Sequence, residues 1–571
     1  RRSVVAHPPL RTERWSAAPF LAAALLWGTA LPLFAQTTRD LASDESTPAD
    51  VLTYGMGYGQ QRYSPLTQID RKSVRRLVPV WSISTNNLLG DEAQPLLANG
   101  LLYYTTGRST YAIDAVSGRL RWKHDLNYAP DVAQVTTSGQ VNRGVALYDG
   151  MVFRTTLDAQ VLALDAITGK EVWRSRSTDY RAGYSMTVAP LVAEDVLITG
   201  ISCGEYGGRG YIEGWDPHTG RSLWRRYTVP APGEPGSETW PADDSWKRGG
   251  GAAWLTGSYD PKLGLVYWGV GNPSPWNARI RPGDNLYTSS VLALRPRTGE
   301  LVWHYQFTPN DSFDFDGNNE FVLADIDLAA RRRHVLMHAD RNGFLYVIDR
   351  ETGELLAANP YTNVTWAQGI DLKTGRPVES DAVRRMRATG EQITVAPSAF
   401  GGKNWSPMSF NPATGLLYAN VLHNEWDYKP VTQEYVAGAP YMANESTFRF
   451  ASKEGGTLQA LDPLTGRARW THPWEIASFS GTLTTAGNLV FSGNMLGELA
   501  AFDARTGQKL WSFQTSSGIV GQPITWERGG KQYVTVASGI GTVYLFFAGD
   551  RRLSLIPPGG SLWTFALHDS N

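Results

Sequence analysis

The sequence predicts an all-β fold, an eight-bladed β-propeller with tryptophan-docking hairpin repeats. A phrase that returns along the chain, the spacing of its copies, and a glycine- and aromatic-rich composition lead to it. The phrase is apolar-x-Asp-x-x-Thr-Gly, with Trp four residues after the Gly. It reads AIDAVSGRLRW at 112–122 (Ser for Thr), ALDAITGKEVW at 163–173, GWDPHTGRSLW at 214–224 and ALRPRTGELVW at 293–303 (Arg for Asp). It returns as ALDPLTGRARW at 460–470 and AFDARTGQKLW at 501–511, with a worn copy, VIDRETGELLA, at 347–357. Each copy is a strand, a tight Asp/Thr-Gly turn and a second strand, which is a β-hairpin. Copies separated by about 40–55 residues read as radially arrayed four-stranded blades. A lone blade cannot bury both faces, whereas a closed ring can, and closure removes the exposed edges that invite aggregation. The 571 residues include 58 Gly, 21 Trp and 25 Tyr without sustained helical periodicity, and large aromatics between sheets bury apolar area densely.

Taken in chain order, residues 1–35 come first. Arg11 and Arg14 precede an apolar run over 17–35, and the polar stretch QTTRDLASDES follows. This reads as an upstream segment and a secretory signal peptide cleaved near Ala35. An uncleaved membrane anchor is the competing reading, since the run approaches spanning length. Residues 36–50 are expected to form a polar linker and 51–571 the propeller. The turn glycines are Gly118, Gly169, Gly220, Gly299, Gly353, Gly466 and Gly507. The gap between Gly353 and Gly466 fits two blades, and NPATGLLY at 411–418 supplies a partial hairpin inside it, which brings the count to eight. The early strand VPVWSIS at 78–84 and late strands near 533–547 are expected to close the ring by sharing a blade. A prior of about 150 residues per domain would suggest several domains, but the repeat makes one circular unit.

The formal net charge is −1, from 53 Lys+Arg against 54 Asp+Glu, so electrostatics give no case for nucleic acid as a partner. The basic clusters at 331–333 and 384–387 read as solvated loop faces. A single cysteine, Cys203, permits no intrachain disulfide and no covalently attached c-type haem.

Chemistry is expected where the repeat is interrupted. The interruptions are SCGEYGGRG (202–210), WKRGGGAAW (246–254), GVGNPSPWN (269–277), TPNDSFDFDGNNE (308–320) and HADRNG (338–343). Glycine-rich stretches beside single carboxylates suggest backbone approaching a flat ligand, with acids aimed at a cation. Glu205, Asn272, Asp314 and Asp316 form an all-oxygen set, which suits a hard cation such as calcium and not zinc or copper. Any one of these acids alone reads more readily as a turn residue or a solvated charge than as a ligand. Grouped between blades, they read as a site.

On these segments the chain resembles the quinoprotein alcohol dehydrogenases of the methanol/ethanol dehydrogenase family, over roughly residues 50–571. The phrases TWPADDSWKRGGGAAW, GNPSPWNARIRPGDN, TPNDSFDFDGNNE and ADRNGFLYVIDRETG carry the likeness. The resemblance implies an eight-bladed propeller holding pyrroloquinoline quinone (PQQ) in a central funnel above a metal ion. It implies Glu205, Asn272 and Asp314 as metal ligands, Asp314 also as catalytic base, and Trp254 as one wall of the PQQ slot. Arg341 would bond the quinone oxygens and stabilise developing charge at C5. Glu92, Arg143, Ser185, Thr187 and Asn404 would make further cofactor contacts, with Ser202 and Gly204 near the PQQ carboxylates. The implied reaction oxidises an alcohol to an aldehyde or ketone by hydride transfer to PQQ. Electrons then pass to a separate periplasmic cytochrome c, because this chain carries no haem of its own. The protein is expected in the periplasm, with a homodimer left open.

The chain departs from the family pattern in three places. Thr137 and Ser138 stand where the family has adjacent cysteines forming a disulfide over one PQQ face. Phe479 replaces a tryptophan in FSGTL, and Ala252 and Ala253 thin the wall beside Trp254. For the metal, the resemblance points to a lanthanide ion, since members of the lanthanide type carry a second aspartate where this chain has Asp316. Calcium-type members carry a small residue there, and Ca2+ is the alternative. Three carboxylates also balance a trivalent ion better than a divalent one, and a stronger Lewis acid polarises a carbonyl more. The competing role for Asp316 is to cap the Asp-Gly turn. The competing functions are a PQQ-dependent sugar, polyol or bulky secondary-alcohol dehydrogenase and a non-catalytic propeller scaffold.

Overall fold

The repeat folds as its turn chemistry dictates. In the computed structural model, which describes residues 36–136, 139–328, 330–450, 455–542 and 550–568, Asp165 Oδ1 accepts from Thr168 N at 2.7 Å and from Thr168 Oγ1 at 2.8 Å. Gly169 N donates back to Asp165 O at 2.8 Å with φ +69°, a left-handed conformation that a side chain would resist. The second strand then brings Trp173 opposite Ala163, and the register slips by one residue beside that pair. The small residue matters: a Cβ on Gly214, opposite Trp224, would lie 2.3 Å from the indole.

Each indole reaches the following repeat. Trp122 Nε1 donates to Ala166 O at 3.0 Å, Trp173 Nε1 to Pro217 O at 2.8 Å, Trp224 Nε1 to Pro296 O at 2.9 Å and Trp470 Nε1 to Ala504 O at 2.9 Å. Every acceptor lies three residues before the next turn glycine, which packs on the same ring. Trp303 packs on Gly353 in this way, yet its N–H has no partner, because Tyr267 Oη donates to Arg350 O at 2.6 Å and takes the expected acceptor. Where the worn copy has Ala357, Asn359 Nδ2 donates to Leu464 O at 2.8 Å in place of an indole.

Among the described residues, eight sheets carry four or five strands. Five of them start at Leu96–Ala98, Ala146–Tyr148, Leu191–Ala193, Ser258–Asp260 and Val322–Leu328, and consecutive strands pair antiparallel. The partial hairpin at 411–418 is real: Ser409–Asn411 pairs with Leu416–Leu422. The chain then leaves to build Asn424–Pro430 and Asn444–Phe450 beside Ile393–Val395, and returns as Gly456–Leu461 and Ala468–Pro473. The seventh sheet starts at Thr482–Thr485. In the last, Leu77–Ser84 pairs with Ser561–Leu567, beside Lys531–Ser538 and Ile524–Arg528. The direct partner of the early strand is therefore later in the chain than 533–547, and 543–547 lie outside the described residues.

The signal-peptide segment 1–35 and the positions Thr137 and Ser138 also lie outside the described residues. Residues 36–50, expected as a linker, fold onto the sheets as a short helix, Thr38–Ala42, and a turn, Asp44–Ser46. Leu41 is buried, and the Asp44 carboxylate accepts from Leu52 N at 2.8 Å and Thr53 N at 2.9 Å. Among the described residues no helix is long and apolar enough to cross a membrane.

Topology also decides where the interruptions meet. In an antiparallel sheet the chain enters strand one and leaves strand two at the same end. Arg143, Ser185, Thr187, Trp254, Asp314, Asp316 and Asn404 precede first strands, whereas Glu205, Asn272 and Arg341 follow second strands. All ten consequently gather at one end of the sheets.

Candidate active site

At that end the loops bond to one another in sequence. Gln94 N donates to Arg143 O at 3.1 Å and Arg143 N to Thr187 O at 3.0 Å, while Ser185 and Ser202 exchange both backbone bonds, at 3.0 and 2.8 Å. Ala253 N donates to Ile201 O at 2.8 Å, Gly271 N to Ala252 O at 2.6 Å and Ser289 N to Gly271 O at 2.9 Å. This continuous backbone support holds side chains around a cavity of about 330 Å3.

Eleven of the thirteen candidate residues line it: Arg143, Ser185, Thr187, Ser202, Glu205 and Trp254 on one side of the chain order, then Asn272, Asp314, Asp316, Arg341 and Asn404. The other two support the lining. Glu92 pairs with Arg143 Nη2 at 2.8 Å, in a pair that is almost fully buried. Gly204 lets the Asn272 amide come close, since a Cβ there would lie 2.9 Å from Asn272 Oδ1.

The SFDFDG phrase works by alternation. Phe313 and Phe315 are buried, their rings 5.3 Å from Tyr428 and 5.3 Å from Trp366 respectively. Asp311 accepts from both of their N–H groups, at 2.7 and 2.8 Å. The alternate residues, Asp314 and Asp316, are thereby turned to the cavity with φ +58° and +61°, a region aspartate tolerates better than most side chains. Gly271 makes room for the second carboxylate: a Cβ there would sit 2.5 Å from Asp316 Oδ1, which accepts from Asn272 N at 2.9 Å.

Arg341 ties the two acids together. Its Nη1 donates to Asp314 Oδ2 at 3.1 Å and its Nη2 lies 2.9 Å from Asp316 Oδ2. Ala399 O and Asn404 Oδ1 accept from it as well, at 3.2 and 3.3 Å. Burial pushes the Asp314 carboxyl well above the ordinary carboxylate range; Arg341 opposes this, while Asp316, Glu205 and Asp311 add to it. Burial raises Asp316 too, against Arg341, the Asn272 N–H and the Trp254 indole. Burial alone would pull the Arg341 guanidinium down, but Asp316, Asp314 and Glu205 hold it above its usual value. Trp254 lies beneath two guanidiniums, with Arg143 Cζ 4.7 Å and Arg341 Cζ 5.3 Å from its ring centre.

The set fits the groups expected of it. Three carboxylates and one amide oxygen face a single lining arginine that is not already paired elsewhere, so the acidic side lacks positive charge, which a hard cation would supply. Among the described residues no three His, Cys, Asp or Glu side chains are drawn together as a ready metal cage. On the opposite account, Nε of Arg143 and Nε of Arg341 are buried without a hydrogen-bond partner. Buried donors of this kind beside an aromatic face suit a flat, polyanionic ligand.

Five large apolar lining residues were not read from the sequence: Trp276, Phe400, Trp405, Met442 and Phe448. Trp276 stands inside a phrase already singled out, GVGNPSPWN, and Trp405 directly follows Asn404. Phe400, Met442 and Phe448 carry no motif. Phe479, which replaces the family's tryptophan, is fully buried behind Trp405 with ring centres 5.0 Å apart. Ala252 does line the cavity.

Comparison with known proteins follows the same lines. The family described as "Glucose/ethanol/alcohol dehydrogenase, beta-propeller domain" (PQQ) matches residues 52–365 and 443–534. A quinoprotein alcohol dehydrogenase of Pseudomonas putida is 41% identical over 577 residues, covering 96% of each chain. A lanthanide-dependent methanol dehydrogenase of Methylacidiphilum fumariolicum is 38% identical over 536 residues, which are 89% of this chain and 87% of that one. The solved structure of a europium-containing methanol dehydrogenase matches with TM-score 0.88 at 36% identity, covering 93% of this chain and 100% of its own.

Proposed function

The chain belongs to the PQQ quinoprotein alcohol dehydrogenases, and we propose that it works in the periplasm with a lanthanide ion and a separate cytochrome c as electron acceptor. Its reaction is the oxidation of an alcohol to an aldehyde or ketone. The eight large sheets are the blades of one closed propeller over 51–571, locked by the indole-to-carbonyl contacts between successive repeats, and the apolar run at 17–35 is its export signal.

PQQ, when bound, supplies the electron-pair acceptor for the hydride leaving the carbinol carbon. Trp254 is the flat support for it, and Arg143 and Arg341 offer their unpartnered Nε donors to its oxygens. Asn404 and the Glu92–Arg143 pair fix those guanidiniums in place. Asp314 takes the hydroxyl proton of the alcohol. Its raised pKa makes it a stronger base once ionised, and Arg341 opposes the rise that burial imposes. Arg341 stabilises the negative charge that develops beside it. Glu205, Asn272, Asp314 and Asp316 would hold the ion, which would add Lewis acidity at the same point.

The observation that carries this reading is the Asp314–Arg341–Asp316 cluster set against Trp254 in one cavity. Its metal choice is tested by turnover of the parent and of Asp316→Ala, each loaded with PQQ and either calcium or lanthanum. Three carboxylates predict higher activity with lanthanum in the parent and erosion of that preference in the variant. Equal activity with both ions in the parent defeats the lanthanide assignment.

A further inference from the structure

We propose that the buried Lys403–Glu320 pair is a positioning device for Arg341, acting through the Asn404–Trp405 peptide to hold the guanidinium toward the quinone. The inference rests on the role given to Arg341 above and names the residues that keep it in that role. Neither partner lines the cavity.

The pair stands where charge is expensive. Lys403 is wholly buried and the Glu320 side chain is 5% exposed, with Nζ 2.8 Å from Oε2. Burial pulls the ammonium below its usual range; Glu320 opposes this, while Arg62 and Arg341 add to it. A buried ion pair gives little net stability over apolar residues of the same volume, because desolvation offsets the attraction. Packing therefore gives no reason for two charges here, and their contacts supply one.

Glu320 closes the phrase that carries Asp314 and Asp316, and Lys403 directly precedes Asn404. The pair thus staples the acid-bearing loop to the loop that holds Asn404. Glu320 Oε1 accepts from Met408 N at 2.8 Å, at the far end of that second loop. The loop of Arg341 is tied to both: Asn319 Nδ2 donates to Ala339 O at 3.1 Å, and Gly402 N to Arg341 O at 2.9 Å.

Lys403 Nζ makes a second bond, to Asn404 O at 3.0 Å. That carbonyl and the Trp405 N–H belong to one planar trans peptide and point in opposite directions. Fixing the carbonyl consequently fixes the N–H, which donates to Asn404 Oδ1 at 2.8 Å. The same oxygen accepts from Arg341 Nη2 at 3.3 Å, and Asn404 Nδ2 is anchored on Phe400 O at 3.0 Å. Without Nζ the peptide is free to turn, Asn404 Oδ1 turns with it, and the guanidinium settles onto the two aspartates. Its charge then serves the carboxylates more and the quinone oxygens less. Stabilisation of developing charge is felt in the transition state and in reduced PQQ, so the loss falls on kcat and on the cofactor's potential, and not on alcohol binding.

The holoenzyme, loaded with PQQ and lanthanum, is compared as parent, Lys403→Met and Lys403→Met/Glu320→Gln, with ethanol and a saturating artificial electron acceptor. Lys403→Met leaves Glu320 uncompensated and should melt below the parent. The double variant has no buried charge left over and should recover the parent's Tm. Turnover should part from stability: in both loaded variants kcat should fall about 10-fold while KM for ethanol stays within about 2-fold. The midpoint potential of bound PQQ should fall by about 30 mV in both, which is 10-fold for a two-electron couple. PQQ absorbance reports loading, and the neutral double variant carries the test where the single variant fails to fold. Parent kcat and potential in the loaded double variant, or a raised KM at unchanged kcat, overturns the inference and leaves the pair a structural one. Arg341→Lys separates this inference from the reading beneath it. If that variant loses kcat and potential while the double variant keeps both, the inference fails and Arg341 retains its role. If Arg341→Lys keeps both at the parent's values, the role of Arg341 itself is wrong, and the inference falls with it.

Discussion

Replacing Arg341 with methionine removes one positive charge and leaves two buried carboxylates facing each other. In the parent its guanidinium lies 3.1 Å from Asp314 Oδ2 and 2.9 Å from Asp316 Oδ2, and it is 7% exposed. Removing one partner of a buried ion pair costs about 3–5 kcal/mol, because the other charge is left uncompensated. Entropy of unfolding scales with length and reaches roughly 1.1 kcal/mol/K for a unit of this size, so a loss of about 4 kcal/mol lowers Tm by ~3–4 °C. The loss must also depend on pH. Arg341 holds both carboxyl pKa values below where burial alone would set them, so in its absence both rise further. The folded variant then binds protons over a pH range where the folded parent does not, and its deficit grows as pH rises through that range. Thermal melts of metal-free parent and Arg341→Met should differ least at the acid end of that range and increasingly as pH rises. Calcium or lanthanum should stabilise the variant more than the parent, since an ion that binds only the folded site takes over the missing charge. Arg341→Lys should recover only part of the loss, because one ammonium cannot fork between two carboxylates as a guanidinium does. Equal melting of parent and Arg341→Met at every pH, or a deficit unaffected by pH, refutes the claim that Arg341 is the counter-charge of the acidic pair.

Three further outcomes follow from single contacts. Trp254→Ala should weaken PQQ uptake by at least ~10-fold, since an aromatic face and two guanidinium–ring contacts go together, and titration followed by absorbance should detect it; unchanged affinity removes Trp254 from the slot. Asp314→Asn should keep the fold and lose about 10²–10⁴ in turnover, because the amide cannot accept the proton; metal occupancy measured in the same sample separates a lost base from a lost ligand, and normal turnover in a loaded sample excludes Asp314 as base. Asp91 is fully buried with its carboxyl pushed up to about 7, and its Oδ1 accepts from Asn87 Nδ2 and Tyr104 Oη, both at 3.0 Å. Unfolded, it ionises near pKa ~3.9, so its contribution is full below pH 4 and is lost as pH rises to 7, by up to about 4 kcal/mol; Asp91→Asn keeps the geometry without the titration, and its stability relative to the parent should rise between pH 4.5 and 7.5.

What could be read from the sequence is what local chemistry repeats. The turn favours Asp, Thr and a left-handed Gly within five residues, and its strand favours a small residue opposite Trp, so most of these hairpins announce themselves. The acidic loop is legible for a related reason. Asp314 and Asp316 alternate with Phe313 and Phe315, a pattern that serves only when one set is buried and the other faces a ligand. The closing pair, Leu77–Ser84 with Ser561–Leu567, has no such signal, since pairing between strands so distant in sequence is decided by the ring as a whole. The apolar part of the lining is hidden for a different reason. Phe400, Met442 and Phe448 have the composition of any core, and only the folded chain brings them to the cavity. The repeat also conceals its own exceptions: Trp303 has the motif without the indole bond, and Asn359 makes a comparable bond without the motif. At Trp303 the expected carbonyl is taken by Tyr267 Oη, and Asn359 reaches Leu464 O, one residue beyond the position that the indoles bond. The same competition governs the active site, where Arg341 meets the need of two carboxylates that a metal ion would otherwise share. Sequence can therefore point to the acids and to the arginine, but the balance of charge between them exists only once the loops have closed.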